Sequence, residues 1–365
     1  MAASGSNRWA VVLAGGVGSR FWPLSTPAKP KQLLPLVSSR AMLRDTLDRL
    51  APVAAPARTL ILTNASLVGA IRAAAPEIPA ENVIAEPRPA GTAAALAWAA
   101  NVVASKAGAE ATIISVHADW AIGDVAGFRA ALIAAAEAAE REHALVTVGV
   151  VPEVPSTGLG YIEPGAVVRG DLRRVARFIE KPDLARAQAL VAAGTLWNSG
   201  IFAWRAGDLL EEIRAHCPEV APALATHPTD ADAFFASVQS IAIDVGVLER
   251  SSRVMVLPGA FGWSDVGTWA ALREVRVRDA DGNAPSGRVL FRDSNSNVVH
   301  AEGTTVVCYG VDDLVVVAID GMTLITTTER AADLKSLLDT LPPEVRDRVA
   351  MTGTPVPPPA KGPPQ

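Results

Sequence analysis

The chain is 365 residues long, half of it apolar, with a formal net charge of −5. That length supports one large α/β core and a small second domain, while the acidic balance argues against a nucleic-acid surface and the lack of any run of roughly 18 apolar residues argues against a membrane span. Its two cysteines, Cys217 and Cys308, stand far apart without a partner motif and its five histidines keep no ligand spacing, which excludes a disulfide frame and a Cys-ligated metal.

Met1 to Arg8 is small and polar, without the apolar core that a signal peptide needs, so a cytoplasmic protein is expected. Trp9, Val11, Val12 and Leu13 predict a buried parallel strand that halts at Gly15-Gly16. The loop that follows carries Gly15, Gly16 and Gly18, which leave no Cβ between backbone N–H groups and an anion. Arg20, Lys29 and Lys31 come close behind, and their company with the glycines predicts a polyphosphate site; the alternative is an ordinary βα turn with surface lysines. The loop lacks the Gly-Lys-Ser/Thr ending of a Walker motif and the acidic residue about twenty positions on that a dinucleotide loop needs.

From there helix-like and strand-like segments alternate: a helix over 41–50, strand 59–63, helix 65–75, strand 82–85, helix 92–105, strand 111–116, helix 125–141 and strand 145–151. The alternation predicts right-handed βαβ units and a parallel sheet, with ligands beyond the carboxyl ends of its strands. After strand 82–85 comes Glu86-Pro-Arg-Pro-Ala-Gly91-Thr92, a turn in which Thr92 is placed to cap the next helix. After strand 111–116 comes His117-Ala-Asp119-Trp120, where a carboxylate suits either Mg²⁺, which takes oxygen ligands and bridges phosphates, or a helix cap.

Three further stretches set polar or glycine elements against strand-like apolar residues and predict an inserted sheet walling a pocket. They are 154–163 with Gly160 and Tyr161, 175–182 with Glu180 and Lys181, and 197–202 with Asn198, Ser199 and Gly200. Glu180 there can accept hydrogen bonds, Lys181 can pair with an anion, and Asn198 both donates and accepts; alone, Glu180-Lys181 also reads as a solvated turn. Phe261-Gly-Trp-Ser-Asp265-Val-Gly-Thr-Trp269 follows an apolar strand over 254–257 and offers Asp265 as a second metal carboxylate. Beyond Gly282 come short β segments at 288–291, 297–300, 304–308, 314–319 and 323–327, then a closing helix over 331–341 and a Pro-rich stretch over 355–365 expected to be disordered. The expected domains are 1–281, 282–345 and a 346–365 tail.

The string from Leu13 through Gly15, Gly16, Gly18, Arg20, Pro23 and Pro30-Lys31 closely resembles the signature of the sugar-1-phosphate nucleotidylyltransferases, the family that makes NDP-sugars. Glu86, Pro87, Thr92, Ala93 and Ala95 match a segment that lies over the base in members making GDP-mannose, whereas Pro89, Ala90, Gly91 and Ala94 depart from it. Trp120 stands where those members usually carry histidine. T-G-L-G-Y-I, E-K-P and W-N-S-G-I-F resemble the family's sugar-phosphate half, and F-G-W-S-D-V-G is close to the GDP-mannose-forming members. Ser240-Ile-Ala-Ile-Asp244 with Glu249 resembles the family's S-I-D-x-x-x-x-E and is read as structural.

The resemblance implies an α/β fold, a Rossmann-like, mostly parallel mixed sheet flanked by helices, with a small C-terminal β module. That module is left-handed β-helix-like and serves relatives in packing or dimerisation, so a homodimer is expected. It also implies an enzyme that moves GMP from GTP onto mannose 1-phosphate, releasing pyrophosphate and GDP-mannose, with Mg²⁺ on Asp119 and Asp265. Arg20 and Lys31 are the implied catalytic cations. Leu13, Ala14, Gly15, Gly16, Gly18, Ser19, Glu86, Gly91, Thr92 and Asp119 would touch the nucleotide, and Gly160, Tyr161, Glu180, Lys181, Asn198, Ser199 and Gly200 the sugar phosphate. No membrane or nucleic-acid partner is expected, and no phosphomannose isomerase activity at this length. The alternatives are a relative using glucose 1-phosphate or another NTP, and a sensor that binds NDP-sugar without turnover.

Overall fold

The computed structural model describes residues 7–16, 18–319 and 321–347; the Pro-rich stretch lies outside the described residues. The chain divides into two compact units, the first formed by residues up to 17, 28–267 and 274–276, the second by 18–27, 268–273 and 277 onward. Among the described residues no helix is long and apolar enough to cross a membrane.

In the first unit the strands are β1 (Arg8–Leu13), β2 (Thr59–Asn64), β3 (Val83–Glu86), β4 (Thr112–His117), β5 (Ala121–Ile122), β6 (Leu145–Val150), β7 (Tyr161–Arg169), β8 (Leu172–Ile179), β9 (Leu196–Arg205), β10 (Val254–Gly259) and β11 (Trp263–Ser264). Nine of them form one sheet in the order β3-β2-β1-β4-β9-β6-β10-β8-β7, and β5 pairs with β11. β1 to β4 run parallel, as do β6 and β10, while β9 lies antiparallel between β4 and β6. The sheet expected as a separate insertion is therefore part of the main one. β9 is apolar on both faces, with Ile201, Phe202, Ala203 and Trp204 all buried, so it is stable only in a sheet covered on both sides.

The flanking helices are α1 (Met42–Leu50), α2 (Val68–Ala74), α3 (Gly91–Ala107), α4 (Val125–Glu142), α5 (Leu184–Ala192) and α6 (Ala206–His216). Strand alternation separates two cores: Ala10 and Val12 join Leu43, Ile71 and Leu132, whereas Trp9, Val11 and Leu13 join Leu96 and Leu209. Residues 93–100 of α3 are buried without a break, because alanine lets the sheet and α6 approach from both sides. α3 starts one residue before the expected Thr92, and no side chain caps it. The Thr92 hydroxyl instead accepts from the main-chain N–H of Ile243 at 2.9 Å.

The second unit holds β12 (Ala284–Arg292), β13 (Val298–Tyr309), β14 (Leu314–Ile319) and β15 (Met322–Thr327), the first three parallel and the last antiparallel. The segments expected at 297–300 and 304–308 are one strand, β13. Two buried asparagines tie the parallel strands together: Asn283 Oδ1 accepts from the main chain and side chain of Asn297, and Asn297 Oδ1 accepts from Leu314 N. The closing helix is a 3₁₀ turn over Arg330–Asp333 followed by helix Leu334–Thr340.

Candidate active site

β1 and β4 finish level, Leu13 opposite His117, and β2 and β3 finish level with each other two residues further on, Asn64 opposite Glu86. Here the glycine loop is fixed by its carbonyls. Thr63 Oγ1 and Gln32 Nε2 donate to Ala14 O at 2.9 and 2.6 Å, and Asn64 Nδ2 donates to Gly15 O at 2.8 Å. In a trans peptide the N–H points opposite to the C=O, so these bonds turn the N–H groups of Gly15 and Gly16 away from their anchors. Both glycines line a cavity of about 280 Å³ together with Glu86, Gly91, Thr92 and Asp119.

The two-stranded β5–β11 sheet brings Asp265 beside Trp120, the residue that follows Asp119. In the β5–β11 pair Ser264 lies opposite Ala121 and Trp263 opposite Ile122, which sets the residue after β11 beside the residue before β5. The Lys31 ammonium closes the group, donating to Asp119 Oδ2 at 2.9 Å and to the main-chain carbonyl of Asp265 at 2.7 Å. Lys31 is only 7% exposed and Asp119 31%, so this ion pair is shielded from solvent far more than a surface bridge. The next residue, Val266, is fully buried with φ of 47°, a strained conformation for a β-branched residue that the surrounding structure enforces.

Asp119 is held from behind by α1. Thr46 Oγ1 donates to Ala118 O at 3.2 Å, and Arg49 donates to Trp120 O at 3.1 Å and to Thr46 Oγ1 at 2.8 Å, so the carbonyls on both sides of Asp119 are anchored. Trp120 occupies a packed floor, its ring 5.0 Å from that of His117 and 5.9 Å from that of Trp263. Gly200, with φ of 74°, covers it closely: a Cβ there would lie 3.3 Å from the Trp120 ring and 3.4 Å from His117 Nε2.

Gly200 belongs to a bulge in β9, where the register against β6 jumps between Val148 and Gly149 and re-aims Asn198, Ser199 and Gly200. Asn198 lines a second cavity, of about 310 Å³, with Gly200, Asp244 and Asp265. Its main-chain N–H donates to Gly160 O at 2.8 Å. A Cβ on Gly160 would lie 2.8 Å from Glu180 Oε2, so the absence of a side chain there makes room for that carboxylate. Glu180 and Lys181 pair with each other at 2.8 Å, and Lys181 has φ of 39°.

Electrostatics divide the site. Burial pushes the Glu86 carboxyl up to about 7. Burial holds the His117 imidazole below its ordinary value, despite the opposing pull of Asp119 and Asp244, and so favours the neutral ring. Burial likewise raises Asp244, against the hydrogen bond from Asn198.

Not every expected residue faces these cavities. The Tyr161 ring is buried, and its hydroxyl accepts from Ser156 N and donates to Ser156 O, bracing the preceding loop. The Ser199 hydroxyl is taken by Val148 O. Gly18, Ser19 and Arg20 belong to the second unit, where Ser19 and Arg20 are exposed on a 3₁₀ turn. That turn is braced by Trp269, which packs on Phe21 at 5.2 Å and donates to Trp22 O at 3.0 Å. Conversely, sequence reasoning missed Gln32, Thr46, Arg49, Asn64 and His117, and it gave Asp244 a purely structural part although Asp244 lines the second cavity.

Comparison with known proteins gives the same outline. Residues 9–282 match the Nucleotidyl transferase family. The chain is 37% identical over 342 residues to the xanthan biosynthesis protein XanB of Xanthomonas campestris pv. campestris, covering 90% of this chain and 72% of that protein. It is also 37% identical over 353 residues to the mannose-1-phosphate guanylyltransferase of Escherichia coli, covering 92% and 73%. The crystal structure of mannose-1-phosphate geranyltransferase from Thermus thermophilus superposes with a TM-score of 0.85 at 34% identity, over 91% of this chain and 98% of that one.

Proposed function

Because this chain belongs to the nucleotidyl transferase family, we propose that it transfers GMP from GTP to mannose 1-phosphate, giving GDP-mannose and pyrophosphate. The observation that carries this reading is the Lys31 ammonium bound to Asp119 and to the Asp265 main chain, beside a glycine loop whose carbonyls are tied back. The choice of GTP and mannose 1-phosphate is supported by the likeness to the Escherichia coli enzyme.

The site fits a divalent cation. Asp119 and Asp265 offer hard oxygen ligands, which suit Mg²⁺, a cation that completes its shell with water and phosphate. When bound, Mg²⁺ neutralises charge on the α-phosphate and on the departing pyrophosphate. The attacking sugar-phosphate oxygen is already an anion, so the protein supplies no general base and its task is positioning. Gly15 and Gly16 present N–H groups to the triphosphate. Lys31 exchanges its hold on Asp119 for phosphate oxygen as charge grows.

Guanine is read by Glu86, whose ionised carboxylate accepts from N1–H and the 2-amino group, with Leu13, Ala14, Gly91 and Thr92 completing that subsite. Gly160, Asn198, Ser199 and Gly200 shape the sugar subsite, and Glu180 and Lys181 close over it. The same reading gives a cytoplasmic homodimer. It also makes the second unit a left-handed β-helix-like cap, supported by its parallel strands and stacked asparagines.

Pyrophosphate release measured for four NTPs against mannose, glucose and galactose 1-phosphates tests the proposal. GTP with mannose 1-phosphate should give the highest kcat/KM. A preference for UTP or dTTP with glucose 1-phosphate contradicts it.

A further inference from the structure

We propose that Asp244 is a specificity-determining residue, whose carboxylate accepts a hydrogen bond from a ring hydroxyl of the sugar 1-phosphate. This rests on the reading of the cavity around Asn198 as the sugar subsite.

Asp244 lines that cavity with Asn198, Gly200, His117 and Asp265. Its Oδ1 accepts from Asn198 Nδ2 at 2.7 Å, which uses a fraction of the roughly four lone-pair sites a carboxylate offers. The charged groups that bear on it most are Glu180, which repels it, and His117, whose imidazole favours the carboxylate when protonated but is itself pushed toward the neutral ring by burial. With Asn198 and its own main-chain N–H as donors the carboxylate keeps acceptor capacity to spare, and sugar hydroxyls are donors that bring no charge of their own.

The surroundings orient the substrate. Asp244, with Glu249 nearby and Glu180 paired to Lys181, makes this end net acidic, whereas Lys31 places a cation beside Asp265. A sugar phosphate entering the crevice is therefore drawn with its phosphate toward Lys31 and its hydroxyls toward Asp244.

Asp244 is also held in place from a distant part of the chain. It begins a single π-helical turn, Asp244–Leu248, an irregularity that concentrates at functional sites. The segment before it is laced to the start of α3: Ile243 N donates to Thr92 Oγ1 at 2.9 Å and Ala93 N donates to Ile241 O at 3.2 Å. Gly91, with φ of 79°, permits the approach, since a Cβ there would lie 2.3 Å from Ile241 O. The segment assigned to the base thus fixes the acceptor assigned to the sugar, so both ends of the substrate pair are referred to one rigid element.

The test pairs a residue deletion with substrate deletions. Asp244→Asn and wild type are assayed with mannose 1-phosphate and its 2-, 3-, 4- and 6-deoxy analogues, with melting temperatures as a check on folding and Asp244→Ser as a second variant. In wild type, deleting one particular hydroxyl should lower kcat/KM by roughly 10- to 100-fold, the range for a hydrogen bond to a charged group. Asp244→Asn should lose a similar factor on mannose 1-phosphate, lose little more when that hydroxyl is also absent, and leave the KM for GTP nearly unchanged. The proposal is overturned if Asp244→Asn, or Asp244→Ser where the first does not fold, keeps wild-type kcat/KM. It is overturned equally if the loss is the same for every deoxy sugar. If wild type prefers another sugar 1-phosphate, the functional reading fails separately, and the deoxy series of that sugar tests Asp244.

Discussion

Lys31 holds Asp119 at 2.9 Å with a side chain that is almost entirely buried, so in the unliganded protein the ammonium stands on the carboxylate assigned to the metal. The two charges stabilise each other, and in the proposed reaction substrate phosphates and the metal replace that partnership.

Removing Lys31 should therefore damage chemistry more than folding. Lys31→Ala is expected to lower kcat by roughly a hundredfold or more, because its charge is needed most in the transition state. Steady-state kinetics of folded variant checks this; near-normal turnover removes Lys31 from the mechanism.

The two aspartates should differ in the absence of ligand. Asp119→Asn leaves a buried ammonium without its counter-ion and is expected to cost about 1–3 kcal/mol of stability. Asp265→Asn should cost much less, because Lys31 uses the Asp265 main chain. With Mg²⁺ and substrates both should lose activity by orders of magnitude, and the double variant should lose far less than the product of the two factors, since residues serving one ion do not act additively. Urea melts and a kinetic double-mutant cycle separate these effects; full additivity contradicts a shared ion.

The site should sense pH through Glu86. Burial raises its carboxyl from 4.5 to about 7, so the neutral form favours the fold. That stabilisation is complete below about pH 4.5 and is lost as pH rises through about 7. Guanine requires the ionised form, so GTP affinity should rise across the same window and binding should release a proton. Calorimetry near pH 7 in two buffers of different ionisation enthalpy should detect release of roughly half a proton in wild type. Glu86→Gln should show none.

Thr46 and Arg49 act on Asp119 through its flanking carbonyls. Thr46→Val leaves Ala118 O without that donor and is expected to cost about 1–3 kcal/mol. It should also raise the Mg²⁺ concentration at half-maximal rate while leaving the KM for GTP little altered. A metal titration of Thr46→Val checks this; an unchanged half-saturation point limits Thr46 to packing.

Much of this was legible in the sequence for a physical reason. β1 and its glycine loop are contiguous, and Asp119 and Asp265 each follow an apolar run, so local pattern located them. What escaped depends on long-range partners. The apolar run in β9 marks a strand but not its place between β4 and β6. Thr92 has the chemistry of a helix cap, yet its hydroxyl meets Ile243, which no local rule anticipates. Thr46 and Arg49 lie on the buried side of α1, where a sequence shows an amphipathic helix and not which carbonyls it grips. In the sequence Asp244 reads as structural, because its motif carries no chemistry until Asn198 is folded against it.

The central claim is that Asp119 and Asp265 serve one nucleotidyl transfer from GTP to mannose 1-phosphate. Phosphorus NMR of wild type with GTP, mannose 1-phosphate and Mg²⁺ follows both products directly. The account predicts GDP-mannose and pyrophosphate appearing in equal amounts, with neither product forming in Asp119→Asn or Asp265→Asn on the same timescale. Equal rates in wild type and both variants, or phosphate release without GDP-mannose, would contradict it.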